Sequence, residues 1–160
     1  MESPHLTKDI VYIEKIQRSF TSKISGLKQL NYWQRLSKLN LLSLQRRREK
    51  ITIIHVWKIK YGLFPNSINL TFNLHKRSNA MKAVLKPLPK LRGKIQTLFE
   101  ESFVIRACKL WNILPAELTH ISSLNSFVSS LNNFLKSVPD KPPLPGYSYE
   151  NNNSLLQQCL

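Results

Sequence analysis

The chain has 160 residues, a length that suits one domain, or one domain and a tail. Leu, Ile, Phe and Trp are plentiful enough to exclude a wholly disordered chain, and no stretch approaches the roughly 18 consecutive apolar residues of a membrane span. The formal net charge is +15, and the N-terminus shows no secretory signal. With only Cys108 and Cys159 there is no disulfide framework, so we expect an intracellular protein of the nucleus and/or the cytoplasm.

The positive charge is confined to one part of the chain. Residues 1–94 carry 20 Lys and Arg against 4 acids, a net +16, whereas residues 95–160 carry 4 against 5, a net −1. A field of this size favours a polyanionic partner, with nucleic acid first and an anionic membrane surface second. The alternative is a soluble protein that is basic but has no polyanionic partner. Even scattering of the cations over the fold would argue against a binding role.

Three helices are predicted in the first part of the chain. Apolar residues at steps of three and four predict an amphipathic helix over 4–25, with Gly26 at its stop. We expect its inner face to consist of Leu6, Ile10, Ile13, Ile16, Phe20 and Ile24. A short helix over 32–39 follows, with Asn31 as N-cap and Asn40 at its stop.

A longer helix over 44–61 begins after Ser43 as N-cap and ends at Gly62. Its apolar arc is so wide that we expect it to be the most buried helix. The predicted core stripe is Leu44, Ile51, Ile54 and Tyr61, widened by Ile53, Val56 and Trp57.

Residues 63–97 change character, because prolines, a glycine and several Asn and Ser interrupt any helix. Alternating apolar residues from Ile68 to Leu74 predict a strand that pairs with Ala83–Leu85 in a short hairpin. Helices are predicted over 98–113 and 124–136, and a disordered tail from about 138. The predicted fold is therefore mainly α, with about five helices and a small irregular β-hairpin insertion. Residues 1–137 would form the domain, with 63–97 as a basic loop or hairpin within it, and 138–160 the tail.

The acidic residues argue against catalysis. The only aspartates are Asp9 and Asp140, so no carboxylate pair stands at a spacing that could hold Mg²⁺. The four glycines are isolated, and no histidine pairs with a cysteine at zinc spacing. We therefore expect no catalytic residue, no metal or cofactor and no small-molecule substrate. His55 is interpreted as structural, and Cys108 as a buried thiol, although a depressed pKa is conceivable beside Arg106 and Lys109.

The remaining candidate residues are ones suited to binding a nucleic acid. Arg46, Arg47 and Arg48 lie in the first turn of a predicted helix, where guanidinium groups and free backbone N–H groups favour phosphate. The alternative is that one or two of them pair internally with Glu49, Glu14 or the carbonyls at a helix C-terminus. The other predicted nucleic-acid contacts are Lys15, Arg18, Arg77, Lys82, Lys86, Lys90, Arg92 and Lys94. For the basic loop 75–94, a solvated linker is the alternative. Trp57 and Trp111 lie on apolar stripes and favour core packing over base stacking, whereas Trp33 could do either.

The succession of residues resembles the segment that follows the thumb in LINE-type (non-LTR) retrotransposon reverse transcriptases. Order and spacing agree over about 3–137, although no single motif is specific. The first part of the resemblance rests on Asp9-Ile10, Ile13–Arg18, Phe20-Thr21, Ile24–Leu27, Tyr32, Arg35-Leu36, Leu42–Leu44, Arg47-Arg48, Trp57–Ile59 and Gly62. The second part rests on Phe103, Arg106, Leu110–Asn112, Leu114-Pro115, Leu118, Ser123–Phe127, Leu131 and Phe134-Leu135.

The resemblance implies a parent protein that copies RNA into DNA, of which this chain would be the C-terminal portion without the catalytic palm. Such a portion would hold RNA or DNA backbone near the polymerase, and the remainder of the reverse transcriptase would be its partner. Asn40 stands where the family usually has glycine, and Ser129, Ser130, Asn132 and Asn133 stand where basic residues are common. Two alternatives remain. The chain could be a structural or protein-contact module that packs on the missing thumb, or a degenerate transposon relic without activity.

Overall fold

A computed structural model describes residues 7–67, 69–85, 93, 96, 99, 102–138, 140 and 155–158. Its helices are α1 (Thr7–Ser22), α2 (Tyr32–Lys38), α3 (Leu44–Lys60), α4 (Phe103–Asn112), α5 (Ala116–Thr119), α6 (Leu124–Ser137) and α7 (Leu155–Gln158). The strands β1 (Leu70–His75) and β2 (Ala80–Leu85) form an antiparallel hairpin in the register Leu70 to Leu85 through His75 to Ala80. The predicted mainly α fold with a small hairpin is confirmed.

Several predicted helix ends have the expected local chemistry. The Asn31 side chain accepts a hydrogen bond from the Gln34 amide at 3.0 Å, and the Gln34 side chain accepts one from the Asn31 amide at 2.9 Å. This reciprocal capping box satisfies two amides that the first turn of α2 leaves without helical partners. Asn40 and Gly62 follow α2 and α3 with positive φ of 51° and 70°. Both therefore end a helix in the left-handed conformation that Asn and Gly tolerate best.

The core forms around three stacked rings from α3, α4 and α6. The Phe127 ring stacks on Trp57 at 5.6 Å between centroids and on Trp111 at 6.0 Å. The indole N–H groups of both tryptophans are satisfied, since Trp57 donates to the Ile121 carbonyl at 2.8 Å and Trp111 to the Met81 carbonyl at 2.7 Å. The prediction that these two tryptophans belong to the core is confirmed.

The predicted inner stripe of α3 is wrong in part. Ile53, Val56 and Trp57 are at most 2% exposed, whereas Ile51 of the predicted main stripe is 57% exposed. Leu44 and Ile54 are only half-buried. Apolar residues occur on most sides of the helix, and the side that carries Trp57 is the buried one because the indole stacks on Phe127 of α6.

Helix α1 also turns an unexpected face to the interior. Ile16 and Phe20, predicted to face the core, are 61% and 70% exposed, while Glu14 and Thr21 are 5% and 1% exposed. The buried Glu14 carboxylate accepts hydrogen bonds from the Tyr32 hydroxyl and, at 3.1 Å, from the Leu44 amide. A buried charge must be hydrogen-bonded, so these partners in α2 and α3 determine the rotation of α1 about its axis.

The hairpin is fastened to the helices through its backbone. The Asn112 side chain accepts from the Ala83 amide at 2.7 Å and donates to the Ala83 carbonyl at 3.0 Å. The Met81 amide donates to the Thr119 hydroxyl at 3.0 Å. These contacts cover the outer edge of β2, which would otherwise expose unpaired backbone groups.

The tail predicted from about 138 lies mostly outside the described residues. Two described parts of it contact the domain, which the sequence did not predict. The Asp140 carboxylate accepts from the Ser43 amide at 2.6 Å, and Leu155 of α7 is fully buried in the core cluster.

We expect Glu14→Gln to lower the free energy of unfolding by roughly 1.5–3 kcal/mol, the cost of weakening buried hydrogen bonds to a charged acceptor. Urea denaturation measures this change. Glu117→Gln, the same substitution on an exposed carboxylate, is the control and should stay within about 0.5 kcal/mol of the wild type. Equal effects of the two substitutions would contradict the role assigned to Glu14.

Candidate nucleic-acid interface

The structure separates the three arginines at the start of α3. Arg46 is fully buried, and its Nε lies 3.8 Å from the Glu49 carboxylate. Arg48 is half-buried and feels the charges of both Glu14 and Glu49, while Arg47 is exposed. The prediction that Arg46 contacts nucleic acid is therefore wrong, because no solvent-facing ligand can reach a side chain without exposed surface. Arg47 is the member of the triplet that points to solvent.

The N-terminus of α3, predicted as a phosphate site, is occupied by groups of the protein itself. Asp140 accepts from the Ser43 amide at 2.6 Å and from the Ser43 hydroxyl at 2.8 Å. The Ser43 hydroxyl accepts from the Arg46 amide at 3.1 Å, and Glu14 accepts from the Leu44 amide. These carboxylates interact favourably with the positive end of the helix dipole, as a phosphate would. The protein's own side chains therefore take the place of an external anion at this helix end.

Glu49 is the centre of a second internal network. Besides its ion pair with Arg46, its carboxylate accepts from the Leu155 amide at 3.2 Å. Burial lowers the pKa of Arg48 and of Arg106, and the Glu49 charge opposes both shifts. One carboxylate thus compensates several partly desolvated guanidinium groups.

The exposed charges in the described part of the chain are nearly all positive. Glu14 and Glu49 are buried, Asp140 caps α3, and among the described acids only Glu117 is exposed. Ten described cations are exposed, eight of them within residues 1–94. They are Lys8, Lys15, Lys23, Lys28, Lys38, Arg47, Lys76, Arg77, Lys109 and Lys136. Exposed cations therefore outnumber exposed acids by ten to one in the described part of the chain.

The other predicted contact residues have different surroundings. Lys15 is exposed on α1, and Arg77 is exposed in the turn between β1 and β2. The Arg18 guanidinium lies 5.0 Å from the centre of the Tyr32 ring, a cation–π distance, and its side chain is half-buried. The Lys82 ammonium donates to the Asn112 carbonyl, so it helps to hold the hairpin. The predicted residues Lys86, Lys90, Arg92 and Lys94 lie outside the described part of the chain.

A groove of about 660 Å³ opens beside the exposed face of α1. It runs between α1, the connection from α2 to α3, the outer side of α3, and α6. Its lining is Ile16, Gln17, Phe20, Asn40, Leu41, Leu42, Leu44, Arg47, Lys50, Asn132, Leu135 and Lys136. The sequence did not indicate this groove, because the apolar periodicity of α1 predicted that Ile16 and Phe20 face the core. The polar residues Glu14 and Thr21, on the opposite side of α1, were the one sequence feature that could have indicated the true orientation of the helix.

The residues considered for other chemistry have structural contacts. Burial raises the pKa of the Cys108 thiol, which donates to the Ala83 carbonyl at 2.9 Å. Burial lowers the pKa of His55, whose ring packs edge-on against Phe64 at 4.4 Å. Within the described ranges, no three His, Cys, Asp or Glu residues cluster where they could hold a metal ion. Nor does any helix in those ranges have the length and apolar character needed to cross a membrane.

Comparison of the chain with protein-family models, curated proteins and solved structures finds no significant match. The resemblance to retrotransposon reverse transcriptases therefore stays a prediction from the sequence.

Alanine substitutions at neighbouring positions should separate structural from surface arginines. We expect Arg46→Ala to lower the free energy of unfolding by roughly 3–5 kcal/mol, because it removes the buried guanidinium that pairs with the Glu49 carboxylate. Arg47→Ala, on the exposed face, should stay within about 0.5 kcal/mol of the wild type. Thermal or urea denaturation checks both, and a mild Arg46→Ala phenotype would contradict the internal role.

Proposed function

We propose that the chain binds the phosphate backbone of RNA or DNA without sequence preference, through exposed cations of residues 8–94. The observation that carries the proposal is the surface charge: ten exposed cations face solvent against one exposed acid in the described part of the chain. Cations that contact phosphates release condensed counterions, and that release drives association at low salt. The buried acids favour this function because they cannot compete with phosphate for the surface lysines.

Three exposed places supply the contacts. Lys8 and Lys15 are two turns apart on the same side of α1, and Lys76 with Arg77 lies in the hairpin turn. Arg47 is a further exposed cation, on α3. Long flexible side chains of this kind suit contact with the backbone, which positions a nucleic acid without reading its bases.

The sequence resemblance supports a more specific version of the proposal. In this version the chain is the C-terminal region of a LINE-type reverse transcriptase, an RNA-directed DNA polymerase, and holds template or target near an active site located elsewhere. It carries no catalysis itself, its protein partner is the rest of the polymerase, and its location is intracellular, in the nucleus and/or the cytoplasm. A copy of the element that has become inactive would carry the same residues as a relic.

A second candidate function is that of a protein-contact module. It is favoured by one observation, the outward apolar face of α1, on which Ile16 and Phe20 are 61% and 70% exposed. Large apolar residues clustered at a surface are typical of protein interfaces. The two functions use different side chains, so they are compatible and can be tested separately.

Binding of a fluorescent single-stranded oligonucleotide, followed by anisotropy over a range of salt concentrations, tests the nucleic-acid proposal. We expect Lys8→Gln with Lys15→Gln, and separately Lys76→Gln with Arg77→Gln, to weaken binding. Each pair should reduce the slope of log affinity against log salt by roughly 0.7 for each phosphate that the protein no longer neutralises.

The matched control is Lys109→Gln with Lys136→Gln, which removes the same charge from exposed positions outside the basic region. This pair should change the slope less than either of the others. A flat salt response of the wild type would remove the proposal. If all three pairs lowered the slope equally, binding would reflect general attraction by the net charge and not contacts at the proposed residues.

A further inference from the structure

The groove beside α1 has an apolar floor that no described element covers. Six of its lining residues are apolar and come from α1, the α2–α3 connection, the start of α3, and α6: Ile16, Phe20, Leu41, Leu42, Leu44 and Leu135. Three of these, Ile16, Phe20 and Leu41, are 61%, 70% and 43% exposed. Apolar surface of this extent is costly in water, and its removal from water would favour a partner that fits the groove.

The charged residues of the groove all have one sign. Arg47 and Lys50 come from α3 and Lys136 comes from α6, and no Asp or Glu is among the described residues that line the groove. The remaining polar lining consists of the amide side chains Gln17, Asn40 and Asn132. The groove therefore combines apolar contact area with positive charge, which favours a negatively charged partner.

We propose that this groove binds an amphipathic protein helix whose apolar ridge is flanked by acidic residues. The ridge would contact Ile16, Phe20 and Leu41, and the acidic flanks would pair with Arg47, Lys50 and Lys136. Helices of this kind commonly bind apolar grooves through residues spaced three and four apart. The inference makes the protein-contact function specific in site and chemistry, and it does not depend on nucleic-acid binding.

The composition of the floor favours a helix over a nucleic-acid strand. Strands held without base reading use several aromatic rings as stacking platforms, whereas Phe20 is the one aromatic residue among the described residues that line this groove. Branched aliphatic side chains form the rest of the apolar surface, and they suit the leucine or phenylalanine ridge of a helix. The exposure of Ile16, Phe20 and Leu41 also indicates a broad open groove, unlike the enclosed pockets that surround most of a small ligand.

The test uses two synthetic fluorescent peptides of about 15 residues, roughly four helical turns. The first has Leu and Phe along one face and Glu along both edges. The second has the same composition, rearranged so that its apolar residues do not share a face. We expect the 160-residue chain to bind the first peptide in an anisotropy titration at least about tenfold more tightly than the second.

Matched variants locate the site. Ile16→Ser with Phe20→Ser should weaken binding of the first peptide about tenfold or more, as removal of central apolar anchors does. Tyr12→Ser, which removes an equally exposed apolar side chain of α1 outside the groove, should leave binding within about twofold. Lys136→Glu should weaken binding, and Lys15→Glu, outside the groove, should do so less. All substituted positions are exposed, so melting temperatures should change little.

Three outcomes would overturn the proposal. One is equal binding of the two peptides, and another is equal sensitivity to the Tyr12 and Ile16/Phe20 substitutions. The third is that the wild type does not bind the first peptide and the Ile16/Phe20 variant loses affinity for the oligonucleotide. That result would assign the groove to nucleic acid. A flat salt response to oligonucleotide would remove the nucleic-acid proposal and leave this one intact, so the two can fail independently.

Discussion

The structure depends on the way in which the first turn of α3 receives negative charge from distant parts of the chain. Glu14 of α1 and Asp140, which follows α6, both accept hydrogen bonds from backbone amides at this end. One turn later Glu49 pairs with Arg46 and accepts from the Leu155 amide of α7. Buried charges are tolerated only with such partners, so the contacts specify which segments meet at α3 and how each is rotated.

This constraint also determines what the surface can do. Three of the five described acids, Glu14, Glu49 and Asp140, lie in internal networks, and Glu117 is the one that is exposed, against ten exposed lysines and arginines in the described ranges. The same contacts rotate α1 so that Glu14 faces inward, and the helix then turns Ile16 and Phe20 toward solvent. The cationic surface and the apolar groove therefore have a common origin in the burial of a few carboxylates.

The sequence predicted the features that depend on local chemistry. Asn31 and Ser43 as caps, Asn40 and Gly62 as stops, and the period-two strand before the hairpin turn each act over a few residues, so one sequence suffices to find them. The orientation of α1 and α3 was predicted less well. Both helices carry apolar residues over wide arcs. Which arc is buried depends on partners far away in the chain, such as Phe127 for Trp57 and the Leu44 amide for Glu14. The prediction that Arg46 contacts nucleic acid was wrong for the same reason, since only the fold could decide between that contact and pairing with Glu49.

Electrostatics links the two proposed binding functions to the stability of the domain. The exposed cations repel one another, so this repulsion lowers the free energy of unfolding most at low ionic strength, where screening is weakest. A polyphosphate and an acidic helix would both relieve the repulsion, and any ligand that binds the folded state alone stabilises it. Arg47 belongs to both the basic surface and the groove, so one occupant would reduce the positive potential available to the other. A protein partner in the groove would thereby weaken nucleic-acid binding through charge alone, without a conformational change.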